Sequence, residues 1–162
     1  MAKSNSPKRN LARVLKQKMP ALKKLFARDP HVLGVFLFGS QADNTATARS
    51  DIDLAVLFDR DLTGDEDLSF QVAVCDTVGV YDKVDIINLN RAAHPFRWRA
   101  IAGKLLYERD YARVSDFIEQ TLIAQSEYAY FIERFNADYF EGMRQDYAKF
   151  RHRANQRAPQ NH

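Results

Sequence analysis

The sequence has 162 residues, of which 46% are hydrophobic and 28% charged, with a formal net charge of +3. That length and balance suit one globular domain that needs no disulfide or structural metal, and they exclude a disordered or fibrous chain. A single cysteine, Cys75, excludes an intramolecular disulfide and a cysteine-rich zinc site. No apolar run approaches the ~20 residues that cross a bilayer, so a cytoplasmic protein with no membrane partner is expected.

The first ten residues, rich in Ser, Asn and Lys, are expected to form a flexible leader. Leu11, Val14 and Leu15, then Leu22, Leu25 and Phe26, recur at helical spacing. Pro20 lies between the two groups and either kinks one helix or starts a second. No acidic residue precedes Asp29, whereas nine lysines and arginines do. Such a run is either a solvated helix face or a patch for a polyanion, with nucleic acid not expected as the partner. Val32 to Phe38 reads as a buried strand and Ile52 to Phe58 as a second, joined by a small polar loop.

An acidic, turn-like stretch from Asp59 to Asp67 leads to a helix over Leu68 to Val78, ended by Gly79. Cys75 sits in this apolar run and is expected to be a buried structural thiol. Lys83 to Leu89 reads as a third strand, covered on both faces because its alternation is weak. Pro95 opens a helix through Ala102, Gly103 stops it, and Lys104 to Glu108 returns to the sheet. From Asp110 the pattern is helical without a break, with a stripe through Val114, Ile118, Leu122, Ala129, Ile132, Phe135, Tyr139 and Met143. Further aromatics flank it, and this surface faces either a partner or the domain's own core. The resulting division is a leader over 1–10, a core over 11–108 with N-terminal helices, a helical extension over 109–150 and a basic, flexible tail over 151–162.

The chemistry concentrates between Gly34 and Phe58. A strand ends in Gly39-Ser40, ten residues intervene, and Asp51-Ile52-Asp53 opens the next strand. Alternate strand residues share a face, so Asp51 and Asp53 point together while Ile52, Leu54 and Val56 face the other way. Two carboxylates ~4 Å apart repel by about 4 kcal/mol at an effective dielectric of 20, which calls for a cation. Oxygen-only ligands favour Mg²⁺ or Mn²⁺. Asp85, within a third and otherwise apolar strand, is expected to meet a cation, a donor or solvent. Three strand-borne aspartates beside a phosphate-binding turn describe a two-metal site for phosphoryl or nucleotidyl transfer. The four histidines are scattered and share no metal spacing with Cys75.

At Gly39, Ser40, Asp51, Asp53 and Asp85 the sequence resembles the minimal nucleotidyltransferases of the DNA polymerase β superfamily. Within that superfamily, its compact size and tyrosine-rich last helix are most similar to MNT antitoxins, which are paired with HEPN ribonuclease toxins. The resemblance implies an α/β (α+β) fold, with a polymerase β-like nucleotidyltransferase core of a small mixed sheet flanked by helices and a long C-terminal helical extension. It implies two Mg²⁺ ions and ATP, with AMP transferred to a hydroxyl, a tyrosine by resemblance, of a HEPN-type toxin bound through the C-terminal helix. In family terms Asp51, Asp53 and Asp85 are catalytic and hold the metals. Gly39, Ser40, Arg49 and Ser50 would bind the nucleotide. Where the family carries a basic or aromatic residue and then Arg-Gly, this chain has Gln41, Asp43 and Asn44. Two other readings stay open: inhibition of the toxin by contact alone, and transfer to a small hydroxylated compound such as an aminoglycoside.

Overall fold

A computed structural model describes residues 11–43 and 50–156, with side chains as far as 145. It divides into two compact units, Met1–Leu122 and Ile123–His162.

In the first unit, helix α1 (Leu11–Arg28) runs through Pro20 as one helix rather than two. Pro20 is exposed, so the backbone bond its ring removes lies on the solvent side. Leu11, Leu15, Leu22 and Phe26 form one buried stripe that spans the proline. The lysines of α1 (Lys16, Lys18, Lys23 and Lys24) are exposed.

Strands β1 (Val32–Phe38), β2 (Ile52–Phe58), β3 (Val84–Asn88) and β4 (Lys104–Glu108) form one mixed sheet in the order β3-β2-β1-β4. β1 pairs antiparallel with both β2 and β4, while β2 and β3 are parallel. Parallel neighbours need a crossover, which helix α2 (Gly64–Val78) supplies. The two central strands are nearly buried throughout. β3 is an edge strand with half-buried positions, which corrects the expectation that both its faces are covered. Its weak alternation reflects that partial cover.

Helix α2 starts four residues before Leu68, inside the stretch read as a turn. Thr63 and Glu66 form a reciprocal capping box there: Thr63 Oγ1 accepts from the Glu66 amide, and Glu66 Oε2 accepts from the Thr63 amide. Gly79 closes the helix in a left-handed conformation, at φ 79°. Cys75 is half-buried against the α1/α2 core rather than fully enclosed, and burial pushes its thiol up.

Helices α1 and α2 cover one face of the sheet, meeting Ile52, Leu54, Val56 and Phe58 of β2. Helix α3 (His94–Ile101) and the start of α4 (Tyr111–Gln156) cover the other, where Ala55, Leu57, Ala100 and Val114 pack together. Odd-numbered positions of β2 therefore look toward α3, and Asp53 is one of them. No helix among the described residues is long and apolar enough to cross a membrane.

The second unit is the rest of α4, which runs to Gln156 and so into the stretch read as tail. Its described aromatics are exposed, Phe131 by 64% and Phe135 and Tyr139 by 56% each. They stack on one another along the helix, with ring centroids 6.5 Å apart for Phe131–Phe135 and 6.3 Å for Phe135–Tyr139. Among the described residues of this unit, the stripe closes no core of its own.

Candidate active site

The sequence-flagged residues collect at one end of the sheet, where β1 ends and where β2 and β3 begin. Gly39 follows β1 and opens a 3₁₀ turn with Ser40 and Gln41. Its φ of 67° lies in the left-handed region, and a Cβ there would run into Asp53 Oδ2. Glycine is required on both counts, and it lets the aspartate lie against the backbone. Gln41 is buried close to Ala12, Leu15, Lys16 and Met19 of α1, away from Asp53. Asp43 is exposed. Arg49 and Asn44 lie outside the described residues. Ser50 is half-buried and leads directly into Asp51.

Asp53 and Asp85 are register partners on the parallel strands β2 and β3, so their carboxylates share a face. Burial raises the Asp53 carboxyl above the usual aspartate range. Repulsion from Asp85 and, more weakly, Asp51 pushes the same way, while Arg99 opposes them. Asp85 is exposed rather than buried within an apolar strand, because β3 lies at the edge; solvent meets it. Asp51 is bonded to Lys83, whose Nζ donates to Oδ1 at 2.9 Å.

Two basic residues at this site went unnoticed in the sequence. Lys83 was legible only as a basic neighbour two residues before Asp85; its place comes from the 3₁₀ turn that leads into β3. Arg99 was not, since its place depends on how α3 packs. Its guanidinium lies 5.4 Å from the centroid of the Phe38 ring, immediately before Gly39. Arg97, two residues before it on α3, holds the helix in place by donating to the carbonyls of Leu89 and Asn90 at 3.1 and 2.9 Å. Between α3 and the turn lies a cavity of about 150 Å³ lined by Gly39, Asp43, Trp98, Arg99, Ala102 and Gly103. Asp43, a negative charge near the expected phosphates, thus shares its cavity with a cation.

Among the described residues, no three carboxylate, histidine or cysteine side chains stand close enough together to hold a metal as they are placed. Asp51 is engaged with Lys83 instead. The donor set still suits a hard divalent cation. It is all oxygen, and the Asp53 carboxyl is raised first by burial and then by repulsion from Asp85, both of which a bound cation would offset. Such an arrangement can place an anionic ligand between a glycine turn, a guanidinium and a cation held by carboxylates.

The polymerase beta nucleotidyltransferase family matches residues 21–112, more than half of the chain. No curated protein matches the sequence. Among solved structures, a toxin–antitoxin with AMP-PNP is similar at 22% identity and a TM-score of 0.59, covering 77% of this chain and 98% of that one. The tri-AMPylated HEPN toxin of Shewanella oneidensis in complex with its MNT antitoxin gives 21% identity and a TM-score of 0.56, over 79% of this chain and 98% of that one. An MntA–HepT toxin–antitoxin gives 20% and 0.51, over 73% and 96%. At these identities the likeness establishes the fold.

Proposed function

Because the chain belongs to the polymerase beta nucleotidyltransferase family, we propose that it transfers AMP from MgATP to a hydroxyl, a tyrosine by preference, of a HEPN-type toxin and thereby neutralises it. The observation that carries this reading is the pair Asp53 and Asp85, in register on adjacent strands beside the Gly39 turn, with Asp51 two residues away. The similar fold of antitoxins solved with AMP-PNP and with an AMPylated toxin supports the nucleotide and the acceptor.

In this reading the acceptor oxygen attacks the α-phosphorus, the bond to the bridging oxygen breaks, and pyrophosphate leaves. The Asp85 carboxylate, open to solvent at the sheet edge, takes up the acceptor's proton. Asp51, Asp53 and Asp85 would hold Mg²⁺, which when bound supplies neutralisation of the phosphate charge. Gly39 and Ser40 offer backbone amides to the triphosphate, Ser50 and Arg49 are assigned to the nucleotide by family resemblance, and Arg99 adds a positive charge from α3. The exposed aromatics of α4 supply an apolar surface for the partner. Those same side chains favour a second reading, in which contact through α4 inhibits the toxin and catalysis adds little.

The two readings separate with ATP labelled at the α-phosphate and, in a parallel reaction, at the γ-phosphate. Transfer predicts that only the α-label stays on the partner and that Asp51→Asn or Asp53→Asn lowers the rate at least about 100-fold, as removal of a group acting in the transition state does. Wild-type rates in either variant would overturn the assignment of the carboxylates. Full inhibition of the partner by both variants, without label, would favour contact.

A further inference from the structure

At the start of the β2/β3 ladder a like-charged pair and an oppositely charged pair stand side by side. Asp53 faces Asp85 across the strands, two like charges. Just ahead of the two parallel strands stand Asp51 and Lys83, two opposite charges. The register Ile52↔Val84 brings them level, and Lys83 Nζ lies 2.9 Å from Asp51 Oδ1. Lys83 is held there by its backbone, as the last residue of a 3₁₀ turn (Tyr81–Lys83) that runs straight into β3.

This ion pair uses one of the three carboxylates that a divalent cation would need. We propose that Lys83 is a built-in counter-ion that takes the cation's place on Asp51, so that loading a divalent ion and releasing Lys83 from Asp51 are one event. The inference rests on the reading of Asp51, Asp53 and Asp85 as the metal-holding carboxylates. The pair suits the task because it is weak: the two side chains are 35% and 39% exposed, which leaves water to compete for both partners. A compact ammonium on a flexible four-carbon stem can leave without disturbing the strand. While it stays, it lowers the net negative charge on a face that otherwise repels itself. Once released, it stands at the edge of the same site as a free positive charge.

The test uses Mn²⁺ alone, without nucleotide, titrated into the full-length protein and read by the electron paramagnetic resonance signal of free Mn²⁺. Lys83→Met is expected to bind Mn²⁺ about two- to fivefold more tightly than the wild type, the range for losing a half-exposed ion pair. Lys83→Arg keeps the charge and is expected to bind as the wild type does. Circular dichroism checks that each variant is folded, and metal-free Lys83→Met is expected to gain more in Tm from Mn²⁺ than the wild type gains. Equal affinity of wild type and Lys83→Met, or weaker binding by the variant, would overturn the counter-ion role and leave the metal reading standing. If neither protein bound Mn²⁺, or if Asp51→Asn bound it as well as the wild type, the metal reading itself would fail and the counter-ion role with it.

Discussion

Where β1 begins and β2 ends, several charged groups are paired off, although the buried Nδ2 of Asn88 has no partner there among the described residues. Arg109 donates to the carbonyls of Val32, Phe26, Ala27 and Asp29, at 2.8 to 3.2 Å, and so closes the open end of α1 against the sheet. His31 meets Asp59 at 3.0 Å, and Arg60 donates to Glu66 from both terminal nitrogens of its guanidinium, at 2.7 and 3.0 Å. These bonds hold the Glu66 carboxyl down at about 2. At the opposite end, where β2 and β3 begin, Asp53 and Asp85 face each other, and the carboxyl of Asp53 is pushed up. One end of the sheet is a finished electrostatic structure and the other is not. A fold keeps unrelieved repulsion where a ligand completes the site, so the contrast points to the second end as the place of chemistry.

That contrast can be broken from either side. The largest effect is expected of Gly39→Ala, which forces a side chain into a left-handed turn and against Asp53. Displacing that carboxylate is expected to lower kcat/KM for transfer about 100-fold, as other misplacements of catalytic groups do. Near wild-type kinetics would show that the turn and the aspartate do not work together. Arg109→Ala attacks the other end. Four carbonyls lose a charged donor, some of them half-exposed, so denaturant titration is expected to record a loss of about 2–3 kcal/mol. Transfer per folded molecule should stay unchanged; a selective loss of kcat would mean that the two ends are coupled.

The smallest effect sharpens the comparison most. A folded state that raises the Asp53 carboxyl binds its proton more tightly than the unfolded chain does. Stability therefore falls as pH climbs from the ordinary aspartate value through the raised one, and the penalty persists at neutral pH. Metal-free Asp53→Asn is expected to melt at a higher temperature than the wild type at pH 7, with the gap closing below the ordinary aspartate range. A lower Tm at pH 7 would mean that Asp53 is a structural partner like Glu66, not a strained functional group.

The parts legible in the sequence were those set by local pattern. β1 and β2 fall where apolar runs and the Asp-x-Asp alternation put them, because a one-residue slip would turn Asp53 into the core under α1 and α2. The start of α2 was written in Thr63 and Glu66, but their acidic neighbours made the stretch look like a turn. Pro20 was weighed as a break, although both halves of α1 share one buried stripe. What depended on strand order stayed hidden. That β3 lies at the edge, which opens Asp85 to solvent, follows from pairing across the sheet and not from its own residues. Arg99 reaches its place over Phe38 only through the packing of α3.

Intact-mass spectrometry of a HEPN-type partner after incubation with this protein, Mg²⁺ and each nucleoside triphosphate in turn tests the central claim most directly. The account predicts a mass gain of one or more AMP units with ATP, and none when Asp53→Asn replaces the wild type. An unchanged mass in a partner that is nonetheless bound and inhibited would contradict it.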